Sequence, residues 1–265
     1  MFRHQGKSRT LKQNIQIATL LSFVAGIVNV VGFLSFGRLT TNVTGHFALF
    51  IYDVADFDFW KGTIYFVYIF SFFFGSFTSS FMIEIFRENK KLNVFLLPTI
   101  LESLILINIA LITNYIVIVH PDIIVCLLLF AMGLQNSFVT KISNAIVRTT
   151  HLTGLFTDLG IEISQLFFPK SNNDKINLTS TIKLRIYIII FFFSGGLTGW
   201  IIYSKVDLKL NTLFVGASIL IFGVFYDDFR YRIIRNRRKY KEKKIANHIA
   251  KEITINEIKK QNKIA

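Results

Sequence analysis

Apolar residues run through this chain in long charge-free blocks separated by short charged connections. Gln13 to Gly37 contains no Asp, Glu, Lys or Arg, and five further blocks share that character: Gly62 to Ile83, Leu92 to His120 with Glu102 as its one acid, Ile123 to Thr140, Ile186 to Ser204 and Leu210 to Tyr226. A helix needs roughly 20 mostly apolar residues to cross a ~30 Å hydrocarbon core, so each block predicts a transmembrane helix. The first is too long for the apolar stretch of a removed leader and shows no small-residue cleavage site, so it is read as a span.

Two apolar segments are too short to cross, Gly45 to Tyr52 and Leu155 to Phe168. They occupy equivalent places in an internal repeat. Gly26-Ile27-Val28-Asn29 recurs as Gly133-Leu134-Gln135-Asn136, Thr40-Thr41-Asn42-Val43-Thr44-Gly45 as Thr149-Thr150-His151-Leu152-Thr153-Gly154, and Gly75-Ser76-Phe77-Thr78-Ser79 as Gly195-Gly196-Leu197-Thr198-Gly199, with offsets of 107, 109 and 120 residues. The expected fold is an all-α polytopic membrane protein of about six transmembrane helices. It is arranged as two inverted repeats, each with a short broken or re-entrant helix. The expected divisions are a basic N-terminus (1–14), a first repeat (15–118), a second repeat (123–229) and a basic tail (230–265). Arg38 to Val43, extended at ~3.3 Å per residue, would descend about 20 Å into the bilayer before a short helix climbs back. Thr41 or Thr44 would cap that helix, and Thr150 or Thr153 its counterpart. The two N-termini would then face each other near the midplane, where partial positive charge favours an anion, a carboxylate or the negative end of a dipolar solute.

Composition adds direction to this pattern. The chain is 52% hydrophobic and 17% charged with a net charge of +14. The excess sits at the ends: Arg3, Lys7, Arg9 and Lys12 at the start, and thirteen basic against three acidic residues from 230 to 265. Lys and Arg are retained on the cytoplasmic side of short loops, so both ends, the Arg87/Lys90/Lys91 loop and the Lys170/Lys175/Lys183/Arg185 loop are placed inside. Six spans satisfy all four; eight would move Arg87, Lys90 and Lys91 outside. Asp53, Asp56 and Asp58 then lie outside, with Trp60 at the interface. The location is a cell membrane, multi-pass, with both termini cytoplasmic. The polybasic tail is expected to meet anionic lipid headgroups rather than nucleic acid.

Individual residues carry two readings. Asn29, Gln135 and Asn136 are amides inside spans, serving as interhelical bonds or as the lining of a solute path. Glu102 is a proton-coupling acid or a buried polar anchor. Asp158 and Glu162 share a helix face and form a weak cation pair at best. Arg38 and Arg148 precede the double threonines and either face an anionic solute or snorkel to headgroups. Ser71, Gly75 and Ser79, with Gly195 and Gly199, form ladders for close packing, whereas Phe72 to Phe74 and Phe191 to Phe193 read as lipid-facing bulk. The lone Cys126 excludes an internal disulfide. No catalytic constellation, metal cluster or cofactor motif is present in the sequence.

Ala25-Gly26 with Asn29, then Asn42-Val43-Thr44-Gly45, then Gly133-Leu134-Gln135-Asn136 and Thr149-Thr150-His151-Leu152-Thr153-Gly154, resemble the YoaK-like family of bacterial inner-membrane proteins (domain of unknown function 1275). The resemblance covers about residues 15 to 228. Asn29 stands where an acid is usual in the family and His46 where an asparagine is usual. The resemblance implies a multi-span bacterial inner-membrane protein without a settled activity. The function expected is a small-solute permease. Its substrate-binding candidates are Asn29, Thr41, Thr44, Gly45, Gln135, Asn136, Thr150, Thr153 and Gly154, with Glu102 as the proton-coupling candidate. The alternative is a non-transporting sensor or assembly factor that uses the basic tail. Partners are the bilayer, a small solute and, as an open alternative, further copies of the chain in a homo-oligomer.

Overall fold

The computed structural model describes residues 9–86, 95–111, 120–168 and 171–226, together with 229, 230, 233, 235–237 and 240 of the tail. In chain order the helices are α1 (Leu11–Phe36), α2 (Thr44–Ala55), α3 (Phe59–Ile85), α4 (Leu96–Leu111), α5 (Pro121–Ser143), α6 (Leu152–Gln165), α7 (Asn172–Ser204) and α8 (Lys209–Tyr226), whose first turn, Lys209–Thr212, is a 3₁₀ turn. α1, α3, α5, α7 and α8 are each long and apolar enough to cross a membrane. α4 is a shorter apolar helix inside the third expected span. The rest of that span, the Arg87/Lys90/Lys91 loop and nearly all of the basic tail beyond Tyr226 lie outside the described residues.

Local sequence sets the ends. Thr10 accepts from the Gln13 N–H while the Gln13 side chain accepts from the Thr10 N–H at 2.9 Å, a capping box that starts α1 before its apolar run. Gly37 ends α1 with φ +64°, a left-handed conformation that glycine adopts without a Cβ clash. α7 departs from expectation. The Lys175, Lys183 and Arg185 segment, expected as a loop, is helical, because the Ser171 side chain accepts from the Asp174 N–H and Asp174 lies in the first turn, favoured by the helix dipole. At 33 residues, and about 1.5 Å per residue, α7 reaches well beyond one bilayer core.

Residues up to Val224 form one compact unit in which the two halves of the sequence interleave. The dominant pairs are α1 with α7 and α3 with α5. Both run parallel: Gly26 lies against Phe192 and Gly196 while Ser35 meets Tyr203 further along, and Gly75 lies against Phe130 while Lys141 pairs with Glu84. Backbones touch at these crossings. A Cβ added at Gly26 would sit 2.1 Å from the Phe192 carbonyl oxygen, and one at Gly133 2.2 Å from that of Phe72. Likewise Gly75 would meet the Phe130 carbonyl and Gly195 that of Phe23, each at 2.0 Å. Each contact in one pair has its counterpart in the other at the repeat offset. Phe72 and Phe192 accordingly pack partly into the core, correcting their reading as lipid-facing bulk, while Phe73, Phe74 and Phe193 are exposed.

Replacing Gly26 or Gly133 by alanine forces a Cβ into a carbonyl and is expected to cost about 1–3 kcal/mol or more in thermal unfolding in detergent. Gly160→Ala, with nothing within 4 Å of the new Cβ on an exposed turn of α6, is expected to be neutral or to stabilise by up to about 1 kcal/mol. Equal effects at the three positions would contradict the packing.

Candidate functional site

After α1 the chain turns back along its own helix. The Thr40 hydroxyl donates to the Val28 carbonyl at 3.1 Å and the Thr41 hydroxyl to Asn29 Oδ1 at 2.8 Å. Val28 lies eight residues before the end of α1, so the return reaches about 12 Å along the helix, short of the 20 Å expected. The second half repeats this after α5. Gln135 Nε2 donates to Thr149 Oγ1 at 3.1 Å, and the Thr150 hydroxyl donates to Asn136 Oδ1 at 2.9 Å. Both short segments therefore fold back and do not span.

The threonines do not cap the short helices as expected. Thr41 and Thr150 spend their hydroxyls on Asn29 and Asn136, while Thr44 and Thr153 are exposed residues of the first turns. The N-cap positions are Val43 and His151, neither with a side-chain bond; Asn42 Oδ1 instead accepts from the Gly45 N–H at 3.4 Å. Nor do the two short helices meet, since α2 packs on α3 and α6 on α7. Gln135 also donates to the Leu21 carbonyl at 3.2 Å, which sets the Asn136 level beside Leu21, eight residues and roughly 12 Å along α1 from Asn29. The structure thus gathers Asn29 with Thr41, and Gln135 and Asn136 with Thr149 and Thr150, as two separate clusters.

The surroundings of the clusters differ. Beside α2, His46 is 2% exposed, donates through Nε2–H to the Leu39 carbonyl at 2.8 Å and packs against the rings of Tyr65 and Tyr68. Arg38 lies 5.0 Å over the Tyr65 ring, and the Tyr68 hydroxyl donates to Asp122. Aromatic bulk fills this side. At the corresponding positions of the second half Arg185 stands in place of Tyr65 and Ile188 in place of Tyr68. Arg185 pairs with Glu162 through two N–H groups at 2.8 Å and with Asp158 at 2.9 Å. The two acids read as a weak cation pair are thus engaged by an arginine, and a cavity of about 350 Å³ opens beside them, lined by Arg148, His151, Gly154, Asp158 and Arg185 among others. One-dimensional reading missed this partner, although two acids on one helix face near a membrane signal an opposing cation. At the far end of α2, exposed Trp60 lies next to Asp58, whose side chain accepts from the Lys61 N–H; hydrogen bonding to Lys61 holds the Asp58 carboxyl below its ordinary range.

Glu102 stands apart from both clusters. It is fully buried on α4, and neither carboxyl oxygen has a hydrogen-bond partner among the described residues. α4 packs on α3, α5 and the first turn of α8. A buried carboxyl without partners is costly to keep.

Five long apolar helices and two segments that fold back beside them define a polytopic α-helical membrane protein. The chain matches, over residues 17–226, the family described as "Protein of unknown function (DUF1275)", and it belongs to that family. It is 28% identical over 216 residues to the UPF0700 transmembrane protein YoaK of Bacillus subtilis (strain 168), an alignment covering 78% of this chain and 91% of that protein. No solved structure matches the chain.

Glu102→Met replaces the unpaired carboxyl with an apolar side chain of similar length and is expected to stabilise the protein by about 1–2 kcal/mol in detergent. A fall in unfolding temperature would show that the carboxyl has a partner worth keeping.

Proposed function

We propose that this protein is a small-solute permease built on an inverted repeat. The observation that carries this reading is the duplicated return of the chain, with Thr41 bonded to Asn29 and Thr150 to Asn136. Non-helical backbone at membrane depth is tolerated where it is buried in protein or lines a cavity, and duplicated broken segments of this kind are a common plan of secondary transporters. The parallel pairs α1–α7 and α3–α5 support the repeat, because each joins the first span of one half to the second span of the other through equivalent glycines. Parallel pairing of that kind follows when the halves insert with opposite orientation.

In this reading the two Asn–Thr clusters are successive stations on a path, in place of a single midplane pole, and Thr44, Gly45, Thr153 and Gly154 contribute the first turns of the short helices. Glu102 is the proposed coupling acid, since a carboxyl buried in the bundle without a partner among the described residues is costly and points to a role other than stability. The basic tail is proposed to lie on anionic headgroups of the inner leaflet.

Proteoliposomes made with the full chain are expected to take up at least one solute among acetate, lactate, phosphate, glycerol and urea faster than protein-free vesicles. The Asn29→Leu/Asn136→Leu double variant is expected to lose at least tenfold of that rate, while deletion of 230–265 keeps most of it. Inert vesicles across the panel, or flux that disappears only with the tail, would favour the sensor or assembly reading.

Orientation is tested separately. In a Cys126→Ser background, a cysteine at position 56 is expected to react with an impermeant maleimide in intact cells, and one at position 172 only after permeabilisation. The reverse pattern overturns the proposed placement of the termini.

A further inference from the structure

We propose that α2 is an acid-released gate, latched to the bundle by His46 and unlatched when that side chain takes a proton. Each short helix has a single buried side chain, His46 in α2 and Leu155 in α6. The two stand at equivalent places of the repeat, 109 residues apart. A helix with so few buried contacts belongs to the low-stability end of a structure, where local opening is easiest. The one anchor therefore decides whether each short helix stays closed. In α2 that anchor is a histidine, which can charge near neutral pH; in α6 it is a leucine, which cannot.

Hydrogen bonding fixes the state of the ring. The Leu39 carbonyl only accepts, so the proton of the neutral imidazole sits on Nε2, 2.8 Å from that oxygen, and Nδ1 carries the lone pair. Nδ1 is buried without a hydrogen-bond partner among the described residues. Tyr65 stacks on the ring at 6.2 Å between centroids and Tyr68 meets it edge-on at 5.1 Å. The charged and titratable groups of this cluster are Arg38 from the return, Tyr65 and Tyr68 from α3, and Asp122 and Cys126 from α5. Asp53, on α2 itself, lies two turns further on. A proton added to Nδ1 creates a buried N–H without a partner and a charge among aromatic rings. Burial accordingly holds the His46 imidazole below its ordinary range, with the Leu39 bond opposing and Arg38 adding to the effect.

A proton thus binds the open helix more readily than the closed one. The latch holds at neutral pH and above, and is lost as pH falls below about 6.5, the ordinary value for histidine. Leu39 directly precedes Thr40 and Thr41, whose hydroxyls hold the return to Val28 and Asn29. Release of His46 gives up the Leu39 bond and loosens the return at that point. The switch requires no transported solute and is read by exchange rather than flux, so it and the permease reading fail separately; where that reading holds, α2 gates the Asn29 cluster.

Amide hydrogen exchange of the full chain in phosphatidylcholine nanodiscs tests the switch, with rates corrected for the intrinsic pH dependence of exchange. Between about pH 7.5 and about pH 5, protection of residues 44–55 is expected to fall about tenfold. Residues 121–143 of α5 and 152–165 of α6 are expected to keep theirs within about twofold. His46→Gln keeps a donor for the Leu39 carbonyl and cannot charge; His46→Leu installs the anchor of α6. Both are expected to abolish the fall in 44–55, and unaltered protection of 121–143 shows that they are folded. An unchanged α2 in the native chain, a fall of equal size in His46→Gln, or a fall shared equally by 44–55 and 121–143 overturns the proposal.

Discussion

Polar side chains and backbone inside an apolar bundle must find hydrogen bonds within the protein, because little water is at hand to supply them. Everything particular to this fold follows from how that demand is met at two places. Where the chain doubles back after α1, Thr40 bonds the Val28 carbonyl and Thr41 bonds Asn29; after α5, Gln135 bonds Thr149 and Thr150 bonds Asn136. These bonds fix the depth of each return and so decide where each short helix begins.

The second constraint is distance between backbones. Lipid tails supply no hydrophobic drive for helices to associate, so close packing has to supply the contact energy. Gly26, Gly75, Gly133 and Gly195 bring carbonyl groups of the partner helix to where a side chain would otherwise be. α1 is thereby locked to α7 and α3 to α5, and the two halves of the sequence cannot separate into independent bodies. The polar clusters lie within a turn or two of these crossings, so their geometry inherits the rigidity of the glycine contacts.

The near symmetry makes its departures informative. Tyr65 and Arg185 hold equivalent places, yet one carries Arg38 over its ring in an aromatic cluster and the other reaches back to Asp158 and Glu162. One chamber is filled and the other holds a cavity. Glu102 has no ionisable residue at an obvious repeat position in α8, whose apolar run is free of charge. Among the described residues, the carboxyl buried on α4 and the cavity beside Arg185 set the two halves of an otherwise duplicated bundle apart.

The membrane class, the apolar stretch of each long helix, the two short segments and the repeated Asn, Thr and Gly positions are determined by the sequence itself, although the polar first turns of α7 are not. Bilayer insertion acts on local composition and length, which a chain displays residue by residue. The same residues did not reveal their partners. Thr41 and Thr150 look like helix caps, but their hydroxyls are taken by amides twelve and fourteen residues earlier, across a turn whose depth only packing sets. Arg185 looks like a loop charge and is the counterion of α6. Which helix lies beside which was decided by tertiary structure alone, since the contacts of Gly26 with Phe192 and of Gly75 with Phe130 join residues far apart in sequence, where neither periodicity nor propensity carries information.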